Sequence, residues 1–194
     1  MIGFTATPLL AAAHASDQHL LNTLNICVHD SGIPAMASLA QEDLSVTDWD
    51  AFFSEKQPRV ARLVYAAKVE KLEEKLQSLP EYLSITPFSM ETYRQLQPDT
   101  VTVIDQRHSR GIDFRAATED GISLLVASQL PNQRALKQLL GRVGRYGQRC
   151  SRYLLDTVGT AVDQDEERRQ RNAFSTLAEE IFEANVAVPT IMTT

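Results

Sequence analysis

"GISLLVASQLPNQRALKQLLGRVGRYGQRCSRYLLDT", residues 121–157, contains two apolar runs separated by an amphipathic segment. The run GISLLVAS (121–128) predicts a buried strand, and NQRALKQLLGRVG (132–144) predicts a helix with Asn132 as its N-cap. The run SRYLLDT (151–157) predicts a second strand. A strand, a helix and another strand in this order are typical of a parallel α/β unit.

The preceding part of the chain repeats this alternation. Three further apolar runs predict strands: RVARLVYA (59–66), YLSIT (82–86) and DTVTVID (99–105). The segment AKVEKLEEKLQSLP (67–80) is amphipathic and ends with a Leu-Pro pair, so it predicts a helix. SMETYRQLQ (89–97) predicts another helix, with Ser89 as its N-cap. The sequence therefore predicts an α/β fold in which helices flank a parallel sheet.

The two ends of the chain depart from this pattern. MIGFTATP at the start predicts a short buried strand that ends in a turn, and residues 9–25 predict a helix. Residues 30–50 are polar, acidic and broken, which is typical of a loop or a small insertion. Three aromatic side chains are predicted to anchor it to the core: Trp49, Phe52 and Phe53. Residues 163–185 predict a charged C-terminal helix.

Length and composition limit the class of protein. The chain has 194 residues, of which 43% are hydrophobic, and this is enough for one domain with a sizeable core. No run of 18 apolar residues predicts a membrane span, and no positive charge precedes the apolar start as in a signal peptide. Cys27 and Cys150 are isolated, without metal-binding spacing, so we expect an intracellular, cytoplasmic protein without a bound metal.

Charge is unevenly distributed along the chain, whose net charge is −6. Residues 1–50 contain six acidic residues and no Lys or Arg, whereas residues 121–155 contain six basic residues and no acidic one. Such a basic stretch is often only a solvated face. Here it coincides with a glycine-rich segment, which favours contact with phosphate groups.

Two segments carry the polar residues of a candidate site. VIDQRHSRGIDFR (103–115) follows a predicted strand, and QLLGRVGRYGQ (138–148) closes a predicted helix. Ligands of parallel sheets bind at the carboxyl ends of the strands, where we expect both segments to lie. Arg142 and Arg145 are three apart, so on a helix they share a face and can grip a phosphoryl group. A nearby carboxylate can bind a ribose hydroxyl or orient an arginine.

Taken together, these segments resemble the motifs of superfamily 2 helicases. The similar segments are SRGID (109–113) for motif V, QLLGRVGR-G (138–147) for motif VI, and FTATP (4–8) for motif III. RLVYAAKVEKLEEKL (62–76) is similar to the strand and helix that open the second motor domain. The order of the motifs and the spacing of about 30 residues between the last two also agree with the family.

The resemblance implies a domain organisation. Residues 1–8 would be the end of a preceding RecA-like domain, and residues 9–60 would form a connecting helix and an acidic insertion. Residues 61–160 would form the second RecA-like helicase domain, and residues 161–194 a C-terminal helix and tail. The fold it implies is a parallel RecA-like sheet flanked by helices.

The resemblance also implies roles for individual residues. Arg142 and Arg145 would be the arginine fingers, which we expect to be exposed and without a partner in the isolated chain. The remaining roles are as follows: Gly111, Asp113 and Gln138 at the nucleotide, Arg107 and Arg110 at the nucleic acid, and Thr5 and Thr7 in coupling hydrolysis to domain movement. In the family, a Thr and an Asp stand where this chain has Asp105 and Gln106, and that Thr is associated with the nucleic-acid strand.

Two further family motifs do not occur in this sequence. There is no GxxxxGK[ST] phosphate loop and no Asp-Glu metal motif, both of which lie upstream of motif III in the family. The resemblance therefore implies that ATP and Mg²⁺ bind only together with a preceding RecA-like domain, and that the isolated chain has no cofactor and no ATPase activity. Nucleic acid would be a partner, bound weakly by the isolated chain, and no membrane is involved.

Three functions are compatible with these motifs. The first is the second motor domain of an ATP-dependent helicase or translocase. The alternative is a degenerate helicase-like module that binds a protein and hydrolyses nothing. A protein-translocating ATPase also has a Gly-Arg-x-Gly-Arg motif, but its motif V has Thr where this chain has Ile112.

Overall fold

Six parallel strands form the sheet in a computed structural model that describes residues 43–54, 60–81, 83–109, 112–145 and 147–186. The strands are β1 (Ser45–Thr47), β2 (Ala61–Tyr65), β3 (Ser84–Pro87), β4 (Thr100–Ile104), β5 (Ile122–Val126) and β6 (Cys150–Leu155). Their order across the sheet is β1-β6-β5-β2-β4-β3, and every neighbouring pair is parallel. The predicted α/β fold is therefore confirmed.

Helices connect and cover these strands. They are α1 (Trp49–Ser54), α2 (Glu73–Gln77), α3 (Gln133–Leu140) and α4 (Gln164–Val186), with 3₁₀ turns at Val69–Leu72 and Asp156–Val158. The Asn132 Oδ1 atom accepts a hydrogen bond from the Ala135 amide at 2.8 Å. Asn132 therefore caps α3 as the sequence predicted, because its side chain satisfies a backbone donor of the first helical turn.

Both faces of the sheet are buried. On one face, α3 and the loop around Phe114 pack on the sheet, with a core that includes Leu63, Leu124, Leu136 and Leu139. On the other face, α1 and α2 pack on the sheet, with a core that includes Phe53, Val64, Leu76 and Leu125. Every residue of β2 and β5 is buried, which explains why both strands read as continuous apolar runs. This arrangement agrees with the predicted RecA-like sheet flanked by helices.

Residues 89–97 do not form the predicted helix. The Ser89 Oγ atom accepts from the Thr92 amide at 3.2 Å, as an N-cap would, but only turns follow. Leu96 instead forms a parallel bridge with Ala116. Pairing with a distant backbone segment therefore replaces the hydrogen bonds that a helix would make, and the sequence pattern could not show that partner.

Residues 43–54 belong to the sheet, although the sequence predicted a loop or an insertion in this part. β1 pairs with β6, and Ser45 lies opposite Tyr153. The Asp48 Oδ1 atom accepts from the Ala51 amide at 2.7 Å at the start of α1. Three aromatic side chains are buried and anchor this segment to the core, as predicted: Trp49, Phe52 and Phe53. The strand and the helix predicted over 1–8 and 9–25 lie outside the described residues.

The C-terminal helix is confirmed as α4, which has 23 residues. Its first turn is acidic, and most of its described side chains are exposed. Among the residues that the structure describes, no helix has both the length and the apolar character that crossing a membrane requires.

Candidate functional site

The turn after α3 carries the two candidate arginine fingers. α3 ends at Leu140, and the Gly141 amide donates to the Lys137 carbonyl at 3.0 Å. Gly144 has a φ of +73°, which favours glycine and is incompatible with a continuing helix. The predicted helix over 132–144 is therefore four residues too long, and the two arginines do not share a helical face.

Arg142 and Arg145 nevertheless converge on one carboxylate. The Arg142 Nη1 atom lies 2.9 Å from Asp113 Oδ1, and the Arg145 Nη1 atom lies 2.9 Å from Asp113 Oδ2. The Arg145 Nε atom also donates to the Gly141 carbonyl at 2.6 Å. Asp113 therefore holds the two guanidinium groups side by side. We had expected both arginines to lack a partner in the isolated chain, and that prediction is wrong.

Partial burial strengthens the ion pairs of this Arg–Asp–Arg site, because charges are screened less there than in water. The exposed fractions of the side chains are 19% for Arg142, 30% for Arg145 and 28% for Asp113. The Arg142 Nε atom is buried and has no hydrogen-bond partner. Two guanidinium groups that converge on one carboxylate can also bind other anions, because their donors match the oxygens of carboxylate and phosphate groups.

Backbone contacts fix the loop of Asp113 independently of the ion pairs. The Phe114 amide donates to the Arg142 carbonyl at 3.0 Å. The Gln148 side chain accepts from the Ala116 amide at 3.1 Å and donates to the Ala116 carbonyl at 3.0 Å. Gln148 thus supports the site, and sequence reasoning missed it because its partner is 32 residues away. Its only sequence signal is a polar residue in a glycine-rich segment.

The segment that follows α3 leads to the amino-terminal edge of the sheet. Arg149 directly precedes β6, and its carbonyl accepts from the amide of Ile122, the first residue of β5, at 3.2 Å. The sequence predicted that residues 138–148 lie at the carboxyl ends of the strands. That prediction is wrong, because α3 runs antiparallel to the strands. It returns the chain from the carboxyl ends of the strands to their amino-terminal ends.

A separate charged cluster lies at the carboxyl end of β4. The Arg107 Nη2 atom is 2.6 Å from Asp105 Oδ2, and the His108 Nδ1 atom is 3.0 Å from Asp105 Oδ1. Burial opposes ionisation of Asp105, but hydrogen bonds from the Arg107 side chain and backbone outweigh it, so the pKa of Asp105 is lowered. The His108 ring packs on Phe88 with 4.0 Å between ring centroids, while the Arg107 side chain is 83% exposed.

The predicted site residues therefore do not all come together. Asp113, Arg142 and Arg145 come together, whereas Arg107 belongs to the cluster at the end of β4. Gln138 is half-buried on α3, one turn before Arg142. The remaining four residues lie outside the described part of the chain: Thr5, Thr7, Arg110 and Gly111. Within the described ranges, no group of three or more His, Cys, Asp or Glu side chains is placed to hold a metal ion.

Comparisons with protein-family models and with curated proteins found no match. The fold and the site define the class of protein at this level: an α/β protein with an all-parallel sheet and a partly buried Arg–Asp–Arg site. The resemblance to superfamily 2 helicases rests on the sequence motifs.

Proposed function

We propose that this chain is the second motor domain of an ATP-dependent nucleic-acid helicase or translocase. In this proposal, Arg142 and Arg145 complete an ATP site whose phosphate loop and Mg²⁺ ligands belong to a preceding RecA-like domain. The observation that carries the proposal is the Arg–Asp–Arg site, in which both motif VI arginines meet the motif V carboxylate across about 30 residues of sequence. The all-parallel sheet supports the proposal, because it is the fold that the motifs require.

The two arginines suit the terminal phosphate of a nucleotide. Each guanidinium group is a planar set of donors that stays charged at neutral pH, and two of them side by side can contact several oxygens of one phosphoryl group. Stabilising charge on that group as it transfers to water is the role of an arginine finger. ATP would supply the phosphoanhydride bond that is hydrolysed.

The alternative is a degenerate helicase-like module that binds a protein, and the altered motif V is the feature that raises it. Asp105 stands where the family has a Thr that is associated with the nucleic-acid strand. Because the pKa of Asp105 is lowered, its carboxylate is charged at neutral pH and repels phosphate groups. Arg107 offsets this charge from 2.6 Å away, so the cluster at the end of β4 does not decide between the two functions.

ATP turnover tests the proposal in the longer protein that contains a preceding phosphate-loop domain. Arg142→Ala or Arg145→Ala should lower ATP turnover by about 10³-fold or more, the scale of a lost arginine finger. Lysine at either position should not restore turnover, because a point charge lacks the forked donor geometry. Arg171→Ala, at an exposed position on α4, is the matched control and should retain most of the turnover. Normal turnover in both alanine variants contradicts the motor proposal and supports the protein-binding module.

A further inference from the structure

We propose that Asp113 is an internal competitor of the phosphoryl group at the Arg–Asp–Arg site. Its carboxylate binds the Nη1 atoms of both arginines in the free chain, and a phosphate-type polyanion competes with it for these donors. The inference rests on the proposed function only in naming a nucleotide as the source of that polyanion. The competition itself follows from the geometry of the isolated chain.

The contacts of Asp113 are those that a phosphate would need. Each carboxylate oxygen accepts from a different arginine, Oδ1 from Arg142 and Oδ2 from Arg145, both at 2.9 Å. Carboxylate and phosphate oxygens bind guanidinium groups in the same in-plane geometry. Because both Nη1 atoms donate to Asp113, a phosphoryl group that approaches these two atoms meets the carboxylate already bound there.

The site is built so that the carboxylate can be displaced without unfolding the loop. The backbone around Asp113 is held by the bond from Phe114 to Arg142 and by the Gln148 side chain, neither of which involves the carboxylate. The Asp113 side chain is 28% exposed, so it can rotate towards solvent. In exchange, a polyphosphate brings more negative charge to the two arginines than one carboxylate does.

Removing the charge of Asp113 should therefore strengthen anion binding. The probe is inorganic tripolyphosphate without metal, titrated into the 194-residue chain at low salt in a calorimeter. Asp113→Asn keeps the shape of the side chain, and we expect it to raise the affinity for tripolyphosphate by about 10-fold or more, the scale of one charge contact in a partly buried site. Adding Arg142→Ala to this variant should abolish the gain.

Asp105→Asn is the matched control, because it removes one negative charge from the other charged cluster. We expect it to change the affinity by less than about 2-fold, because Asp105 contacts Arg107 and His108 and neither arginine of the Arg–Asp–Arg site. Equal affinity in Asp113→Asn and the unaltered chain overturns the inference, and so does an equal gain in both asparagine variants. If Asp113→Asn does not fold, as judged by circular dichroism, Asp113→Ser makes the same test with a smaller neutral side chain.

Failure of the proposed function gives a different result from failure of this inference. If Asp113→Asn binds tripolyphosphate more tightly while ATP turnover of the longer protein does not depend on either arginine, the competition stands and the motor proposal fails. If turnover depends on the arginines but Asp113→Asn binds no more tightly, the motor proposal stands and the competition is wrong.

Discussion

Gly121 lies where the backbone of a neighbouring segment leaves no room for a side chain. Its φ is +88°, and a Cβ atom placed on it would lie 1.9 Å from the Arg149 carbonyl oxygen. Its own carbonyl accepts from the Ala61 amide at 3.0 Å, and the next amide, that of Ile122, donates to Arg149. Gly121 therefore lets three segments meet at the amino-terminal edge of the sheet, where any side chain would separate them.

Gly121→Ala should destabilise the chain by roughly 3 kcal/mol or more, because the methyl group overlaps a backbone atom that cannot rotate away. The matched control is Gly147→Ala, whose φ is +78° but whose added Cβ would have no atom within 4 Å. That change should cost only about 1 kcal/mol, the strain of a left-handed residue. Urea unfolding of both variants measures the difference. Equal losses would show that close approach of Arg149 is not what constrains Gly121.

Cys150, the first residue of β6, gives stability a pH dependence at alkaline pH. Burial raises the pKa of its thiol to about 11, although Arg152 opposes this shift. Its ordinary pKa is 9.0. The unfolded chain therefore loses this proton first as the pH rises, and the folded chain retains it. The contribution to stability is fully present below pH 9 and falls until the pH passes about 11.

Between pH 8 and pH 11, the free energy of unfolding of the unaltered chain should fall by roughly 2 kcal/mol more than that of Cys150→Ala. The comparison removes the contributions of tyrosine and lysine, which titrate in the same range in both proteins. Urea unfolding at several pH values, with Cys27→Ser in both backgrounds, isolates the thiol. Parallel pH profiles would show that Cys150 ionises equally in the folded and unfolded chains.

The candidate site shows what could and could not be predicted from single residues. Arg142 and Arg145 were identified because the repeated Gly-Arg pair of the Gly-Arg-x-Gly-Arg pattern is local. Their exposure was predicted wrongly, because the partner carboxylate is 29 residues away from Arg142. The location of the site was also predicted wrongly, since it depends on where α3 ends. Contacts between distant segments are set by the packing of whole elements, which the spacing of residues does not contain.

At the scale of elements, the predictions held where burial alone decides the structure. β2 and β5 are buried at every position, so their apolar runs leave no other choice than central strands. β1 was missed because it has only three residues, of which Ser45 and Val46 are exposed. It is a strand because β6 offers it a backbone edge, not because of its own pattern.

α4 contacts the rest of the chain through its first turns. The Glu167 Oε1 atom accepts from the Gln133 amide at 3.2 Å, and the Gln170 Oε1 atom accepts from Asn132 Nδ2 at 2.7 Å. Both contacts support the start of α3. Further along, Phe174 is 40% exposed and Leu177 is 52% exposed, so these side chains add little to the fold.

A chain that ends at Arg171 should therefore melt within about 2 °C of the unaltered chain, because it keeps both contacts. A chain that ends at Asp163 should melt several degrees lower, since about 1 kcal/mol of capping at α3 is lost. Thermal unfolding followed by circular dichroism measures both. If the chain that ends at Arg171 melts at a much lower temperature than the unaltered chain, the second half of α4 stabilises the fold more than its exposure indicates.

At the scale of the whole molecule, the acidic segment before β2 is part of the sheet's second core. The Trp49 and Phe53 ring centroids are 4.7 Å apart, and those of Phe52 and Tyr153 are 5.5 Å apart. These rings cover the face of the sheet that α2 leaves open on the side of β6. Motif resemblance placed the start of the second domain at residue 61, and the packing argues that its folding unit includes residues 43–54.

The position of this boundary can be tested with two shortened chains. A chain that begins at Asp43 keeps β1, α1 and their aromatic rings, so it should unfold cooperatively. A chain that begins at Ala61 exposes the apolar surface under Phe52 and Phe53, and burying two such side chains contributes roughly 3 kcal/mol each. Since the whole stability of a domain is about 5–15 kcal/mol, this chain should be unfolded or aggregated.

Phe53→Ala in the full chain should lose about 3–4 kcal/mol, against less than about 0.5 kcal/mol for the exposed Phe174→Ala. If the chain that begins at Ala61 is as stable as the chain that begins at Asp43, residues 43–54 do not stabilise the sheet. The domain then begins at residue 61, as the motifs predicted.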